Sequence, residues 1–218
     1  EEILAVHLLV DVSRSMDWGS KNKLTFARKL AGALGYVTLG GYDRVEAAAL
    51  GSTATSRVGP VQGTSGIATL FRFLDRLEAA QPSGDGMSAA LRSYALQRRN
   101  GGMAIVISDM LSPDGCEEGI RALLRRRFEV AIVHVLAPEE IAPELGGDVR
   151  LVDRETGVNV DITLNQRALD LYAQRFRAWS GGIESSCKRH GVLYQRISTD
   201  TPLEDVLFRD LRERGLLA

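Results

Sequence analysis

Three observations predict a doubly wound α/β fold, a mostly parallel sheet flanked by helices on both faces. The runs Ile3–Val10 (ILAVHLLV) and Met103–Ser108 (MAIVIS) are almost continuously apolar, the pattern of strands buried on both faces. Each is followed at once by an aspartate, Asp11 or Asp109. Around them, strand-like and helix-like segments alternate, the order that builds parallel βαβ units. A chain of 218 residues that is 44% hydrophobic can enclose one substantial core, so a single domain over 1–218 is expected.

The elements follow in order. After the first strand, apolar residues at helical spacing (Leu24, Ala27, Leu30, Ala31, Leu34, Val37) predict a helix over Lys23–Leu39, stopped by Gly40-Gly41. Val45–Leu50 and Thr55–Val61 read as strands, and the short gap between them predicts an antiparallel hairpin at a sheet edge. Helices are expected over Ile67–Ala80 and Ser88–Arg99, separated by the loop Pro82–Gly86. After Met103–Ser108, a helix over Glu117–Arg126 and a strand over Glu129–Leu136 complete another βαβ unit. Two short strands, Val149–Val152 and Val158–Ile162, joined by the turn Arg154–Gly157, read as a small β-hairpin insertion. A long helix over Gln166–His190, a strand over Val192–Ile197 and a terminal helix over Leu203–Arg214 close the chain. Thr201 as N-cap, Pro202 at the first position and Glu204 in a capping box form the expected start of that last helix.

Lys+Arg 27 against Asp+Glu 28 leaves a net charge of −1, which provides no general attraction for nucleic acid or an anionic membrane. Arg125-Arg126-Arg127 ends a helix, where cations meet the macrodipole favourably, so a solvated helix end is the expected role. Cys116 and Cys187 lack C-x-x-C spacing, and two free thiols fit a reducing compartment. No apolar run reaches the roughly 18 residues of a membrane span, and a cytoplasmic location is expected for the visible chain. It opens at Glu1 without methionine and enters an apolar run directly, which suggests a trimmed upstream segment that could carry an anchor. His7 and His134 lie within apolar strands and His190 ends a helix; all three read as structural.

Ligands of open α/β sheets bind outside the carboxyl ends of the strands. There, Asp11, Ser13 and Ser15 alternate along a loop and offer a carboxylate and two hydroxyls, hard donors of the kind Mg²⁺ or Mn²⁺ takes. Asp109 ends the second buried strand at the same edge, and Asp85 lies in the loop before the intervening helix. If the two strands are neighbours, five oxygen-bearing groups converge. The alternative is ordinary loop capping by Asp11 and Ser13 and a turn at Asp109. Trp18, close behind the loop, either covers one side of the site or staples the loop to the core.

Asp11-Val12-Ser13-Arg14-Ser15 after an apolar strand resembles the metal-ion-dependent adhesion site of von Willebrand factor A-type domains, whose fold is Rossmann-like. Gly41–Val45, Val106–Asp109, Leu151–Gly157 and Ile197–Leu203 resemble a bacterial subfamily of that class often encoded beside MoxR-type AAA+ ATPases, and the resemblance covers essentially the whole chain. It implies a divalent ion (Mg²⁺, or Mn²⁺ or Ca²⁺) held by the D-x-S-x-S loop, a threonine from a second loop and an aspartate from the fourth strand. One coordination position is left for a partner's carboxylate. Asp11, Ser13, Ser15 and Asp109 match; the threonine does not, because Ser83-Gly84-Asp85-Gly86-Met87 places Asp85 where a hydroxyl belongs. Either Asp85 adds a third carboxylate, giving tighter metal binding and a weaker pull on an acidic partner, or it points away and the site is degenerate.

The expected function is therefore a non-enzymatic, metal-dependent protein-interaction module, an adaptor whose partner offers an acidic residue, such as a MoxR-type AAA+ ATPase or its client. The alternative is a Mg²⁺-dependent phosphohydrolase using Asp11. Against it, the loop lacks a second aspartate to act as general acid, and the P-loop, G-x-S-x-G and H-E-x-x-H patterns are absent. A nucleic-acid-binding role would rest on Arg125–Arg127 alone.

Overall fold

The structure, a computed structural model, describes residues 4–51, 56–80, 86–98, 101–144, 146–153 and 157–211. Six strands form the main sheet: β1 (Ala5–Asp11), β2 (Arg44–Leu50), β3 (Arg57–Gln62), β4 (Gly102–Ser108), β5 (Phe128–Leu136) and, after a separate hairpin, β8 (Leu193–Ser198). Their order is β3-β2-β1-β4-β5-β8, parallel throughout except for the antiparallel edge pair β2–β3. Among the described residues the hairpin strands β6 (Gly147–Val152) and β7 (Asn159–Leu164) pair only with each other, as the predicted insertion requires. Opposite pairs Val149–Ile162 and Leu151–Val160 share one face, while Arg150 and Asp161 bond at 2.7 Å on the other.

Alternation along β1 divides the core. Val6, Leu8 and Val10 join a cluster with α1 (Lys23–Gly40), α2 (Gly63–Asp75) and the terminal helix; Leu9 joins one with α3 (Met87–Leu96), α4 (Glu117–Arg125) and α6 (Gln166–Arg189). The sheet is thus covered on both faces, which is why β1 and β4 have no polar residue on their inner stretches except His7. Close contact is built into α1, where a Cβ on Gly35 would stand 2.2 Å from Leu70 Cδ2 and 3.3 Å from Leu8 Cδ1.

Several boundaries differ from expectation. α2 begins at Gly63 rather than Ile67, and it ends at Asp75 rather than Ala80 because Ala80 N donates to Val12 O at 2.6 Å and draws the segment onto the loop after β1. Thr201 does not cap the last helix. That helix starts at Leu203 with Pro202 as N-cap and no side-chain cap, passing from α7 (Leu203–Asp205) into wider π winding over Val206–Leu211. Thr201 N instead donates to Ser198 O at 3.1 Å, closing a turn after β8. A one-turn helix, α5 (Pro138–Ile141), was not anticipated; Glu140 Oε2 accepts from Ala137 N at 2.8 Å and fixes it. The expected turn at 154–156, the end of the terminal helix at 212–214 and the hairpin gap at 52–54 lie outside the described residues.

Candidate metal centre

Chain order in the sheet reverses at β1: α1 leads from β1 to β2 on one side, and β4 pairs with β1 on the other. The carboxyl ends of β1 and β4 therefore flank a topological switch point, the crevice where open α/β sheets place ligands. Asp11 is the last residue of β1 and Asp109 follows the last residue of β4; they are 3% and 1% exposed, so both carboxylates are buried at that crevice.

Each oxygen has an assigned neighbour. Asp11 Oδ1 accepts from Ser13 N at 2.8 Å and Oδ2 from Ser108 Oγ at 2.6 Å, while Ser108 Oγ accepts from Met110 N at 2.9 Å. Burial, then the charge of Asp109, raises the Asp11 pKa to about 6 against the opposing bonds from Ser108 and Ser13. Asp109 Oδ1 accepts from Leu111 N at 3.1 Å, and its backbone carbonyl accepts from His134 Nε2 at 3.0 Å. Because a carbonyl only accepts, Nε2 carries the proton and Nδ1 accepts from Tyr194 OH at 2.6 Å; burial pushes the His134 pKa down to about 4, which keeps that neutral tautomer. His134 is a core histidine, as its setting predicted, and it braces Asp109 from behind. Met110 has φ 57, a left-handed conformation uncommon for a residue with a side chain, so the turn after Asp109 is strained.

The loop after β1 is held from several sides. Val12 N donates to Leu50 O at 2.8 Å, a single turn over Arg14–Met16 buries Met16, and Gly51, at φ 107, lies so close that a Cβ would stand 3.3 Å from Ser13 N. Ser13 Oγ and Ser15 Oγ are 3.0 Å apart. Adjacent ligands of an octahedral Mg²⁺ held at about 2.1 Å are themselves roughly 3.0 Å apart, so this pair has the spacing of one edge of such a coordination shell. Among the described residues no three His, Cys, Asp or Glu side chains cluster at metal-ligand spacing, so serine hydroxyls have to contribute to any hard-ion site here. Asp85 and Ser83, on which the third-carboxylate expectation rests, lie outside the described residues.

Lys23, at the start of α1, is a residue of this crevice that sequence reasoning missed. It is 0% exposed, and its Nζ lies 2.8 Å from Asp109 Oδ2 and 2.5 Å from Glu140 Oε1. Glu140 was missed as well; burial raises its pKa more than the Lys23 charge lowers it. Trp18 stands with its ring centroid 5.9 Å from Lys23 Nζ and its carbonyl accepting from Lys23 N at 3.0 Å, so it covers the lysine and anchors the helix start. A signal for Lys23 was present: Lys23, Ala27, Leu30, Ala31 and Leu34 form one buried helical stripe, and a lysine in such a stripe needs a partner. Thus Asp11, Ser13 and Ser15 are linked along the loop after β1, Ser108 ties Asp11 to the end of β4, and Lys23 joins Asp109 to Glu140.

Solved structures with this architecture include an aerotolerance-related membrane protein from Bacteroides fragilis, with a TM-score of 0.60, 19% identity, and coverage of 98% of this chain and 100% of that one. Another is proximal thread matrix protein 1 from the mussel byssus, with a zinc-occupied MIDAS motif: TM-score 0.53, 11% identity, covering 95% of this chain and 46% of that one. At these identities the likeness concerns the fold, which is von Willebrand factor A-like. Among curated sequences, uncharacterized protein Rv1480 of Mycobacterium tuberculosis is 31% identical over 221 aligned residues, 99% of this chain and 69% of its own length. The model of the family described as protein of unknown function DUF58 matches residues 1–179. That match spans most of the chain, which therefore belongs to the DUF58 family.

Proposed function

We propose that this is a non-enzymatic protein-interaction domain that holds a divalent cation at the switch point through Asp11, Ser13 and Ser15, with Asp109 behind them, and offers the ion to an acidic residue of a partner. The observation that carries this reading is the pairing of a buried Asp11 with two hydroxyls spaced 3.0 Å apart at the crevice between β1 and β4. Mg²⁺ is the expected ion, because all the donors are hard oxygens and two of them are neutral, which leaves the ion electron-poor and attractive to an incoming carboxylate. The zinc-occupied MIDAS motif of the mussel protein supports the placement of an ion on this fold.

The partner class we propose is a MoxR-type AAA+ ATPase or its client, from the resemblance of the sequence to a subfamily encoded beside such ATPases. No helix among the described residues is long and apolar enough to cross a membrane. The test is titration calorimetry with Mg²⁺ and Mn²⁺ on the domain and on Asp11→Ala. Saturable binding that the substitution abolishes is expected. Binding that survives it would place the ion elsewhere and end this reading. A purified MoxR-type ATPase is then expected to bind the domain in Mg²⁺ and to release it in EDTA.

A further inference from the structure

We propose that Lys23 is an internal competitor for the divalent ion: its ammonium occupies the cationic position against Asp109 in the ion-free domain and has to withdraw when the ion binds. The inference rests on the metal-site reading above and concerns how that site is regulated.

The geometry points to competition rather than support. Lys23 Nζ reaches two carboxylates at once, Asp109 at 2.8 Å and Glu140 at 2.5 Å, and all three side chains are largely or wholly out of solvent. Asp109 has its other oxygen on Leu111 N at 3.1 Å, so both carboxylate oxygens already hold a donor while the lysine is in place. Asp11 ends the neighbouring strand β1 and is tied to the end of β4 by Ser108 Oγ at 2.6 Å, one residue before Asp109. Two carboxylates, Asp109 and Glu140, thus meet one ammonium, a surplus of negative charge that a divalent ion can neutralise and a tethered monovalent one cannot. A metal ion drawn between Asp11 and Asp109 would place two positive centres side by side in a poorly solvated crevice, and their repulsion is strongest where water is excluded. The lysine can yield, since it is a flexible tether with three rotatable donors, and Trp18 offers it an aromatic face on the outward side. Its departure returns Asp109 to the ion and leaves Glu140 with Ala137 N, the bond that caps α5. Divalent affinity is therefore set low by design, and ion binding is coupled to a change at the start of α1 and at α5.

The first test is calorimetric titration of Mg²⁺ and Mn²⁺ into the native domain and into Lys23→Met. The variant should bind more tightly by about tenfold or more, the scale of one unit charge acting at close range in a partly screened site. Equal or weaker binding by the variant would overturn the competition while leaving the metal site standing. No binding by either protein would overturn both. A second measurement needs no variant: acetylation of Lys23 by an amine-reactive reagent, read by mass spectrometry against Lys21, Lys29 and Lys188 in the same sample. Lys23 should be protected in EDTA and gain reactivity at saturating Mg²⁺. Protection that stays unchanged while the ion binds would sink the proposal.

Discussion

Lys23 Nζ stands 2.8 Å from Asp109 Oδ2, with both side chains buried, so the carboxyl end of β4 and the amino end of α1 are joined by an ion pair inside the protein. A buried pair adds little over apolar side chains of the same size, but losing one member strands the other without water. Asp109→Ala is therefore expected to lower stability by about 3–5 kcal/mol. The double variant Lys23→Met/Asp109→Leu should recover most of that loss. Urea unfolding of the three proteins in EDTA measures both effects, and a double variant as unstable as Asp109→Ala would show that the two residues are not coupled.

At the opposite end of β1, His7 has Tyr94 OH 2.7 Å from Nδ1 and Glu46 Oε2 at 3.4 Å, with Arg98 bonded to Glu46 and stacked on the Tyr94 ring. Burial, and then the charge of Arg98, lowers the His7 pKa to about 4, so the contact with Glu46 is not an ion pair at neutral pH. Below about pH 6.5 the unfolded chain takes up a proton that folded His7 refuses until about pH 4. Stability should accordingly fall as the pH drops through that window, by roughly 3 kcal/mol from this residue. Glu46, whose pKa burial raises, works in the opposite direction, so the decisive comparison is with His7→Gln. Its unfolding free energy should decline less steeply between pH 6.5 and 4 than that of the native domain.

Gly51 follows β2 with φ 107 and faces Asp11 Oδ1 and Ser13 N, both within contact distance of a Cβ placed there. Gly51→Val combines a backbone conformation foreign to a β-branched residue with a push on the loop that carries Ser13 and Ser15. A loss of about 1–3 kcal/mol in stability is expected. Divalent affinity, measured by calorimetry, should weaken along with it. Unchanged affinity in a destabilised variant would mean that the loop keeps its shape without Gly51.

The sheet was legible because its central strands carry apolar runs, and the aspartates that follow them, Asp11 and Asp109, mark the carboxyl ends of β1 and β4. Edge order was legible too, since the six residues between β2 and β3 allow little but a hairpin. Lys23 was harder. Read locally it is a charged residue at a helix start, and only the sheet order, by putting β4 beside β1, shows that its tip ends on Asp109. Glu140 belongs to a one-turn helix too short to leave a periodic pattern, and its approach to Lys23 depends on β5 lying beside β4 with Ser108 opposite His134. The limits of α2 were missed for a tertiary reason, the bond between Ala80 and Val12 that overrides helical continuation. Thr201 had the right neighbours for a cap, but its backbone is used in the turn back to Ser198.

Asn22 links the loop to the helix that bears Lys23. Its Oδ1 accepts from Thr25 N at 2.9 Å as the N-cap of α1, and its Nδ2 donates to Asp17 Oδ1 at 2.8 Å. Asn22→Ala removes both bonds and should reduce stability by about 1 kcal/mol. Asn22→Asp preserves the cap, and a negative charge at a helix amino end is favourable, but it loses the donor and sets two carboxylates against each other at Asp17. Because Lys23 is the next residue, a loosened helix start should let its ammonium leave Asp109 more readily. In calorimetry both variants should bind Mg²⁺ at least as tightly as the native domain, although each begins from a different stability. Weaker binding in both would instead mean that α1 has to be firmly anchored for the ion site to form.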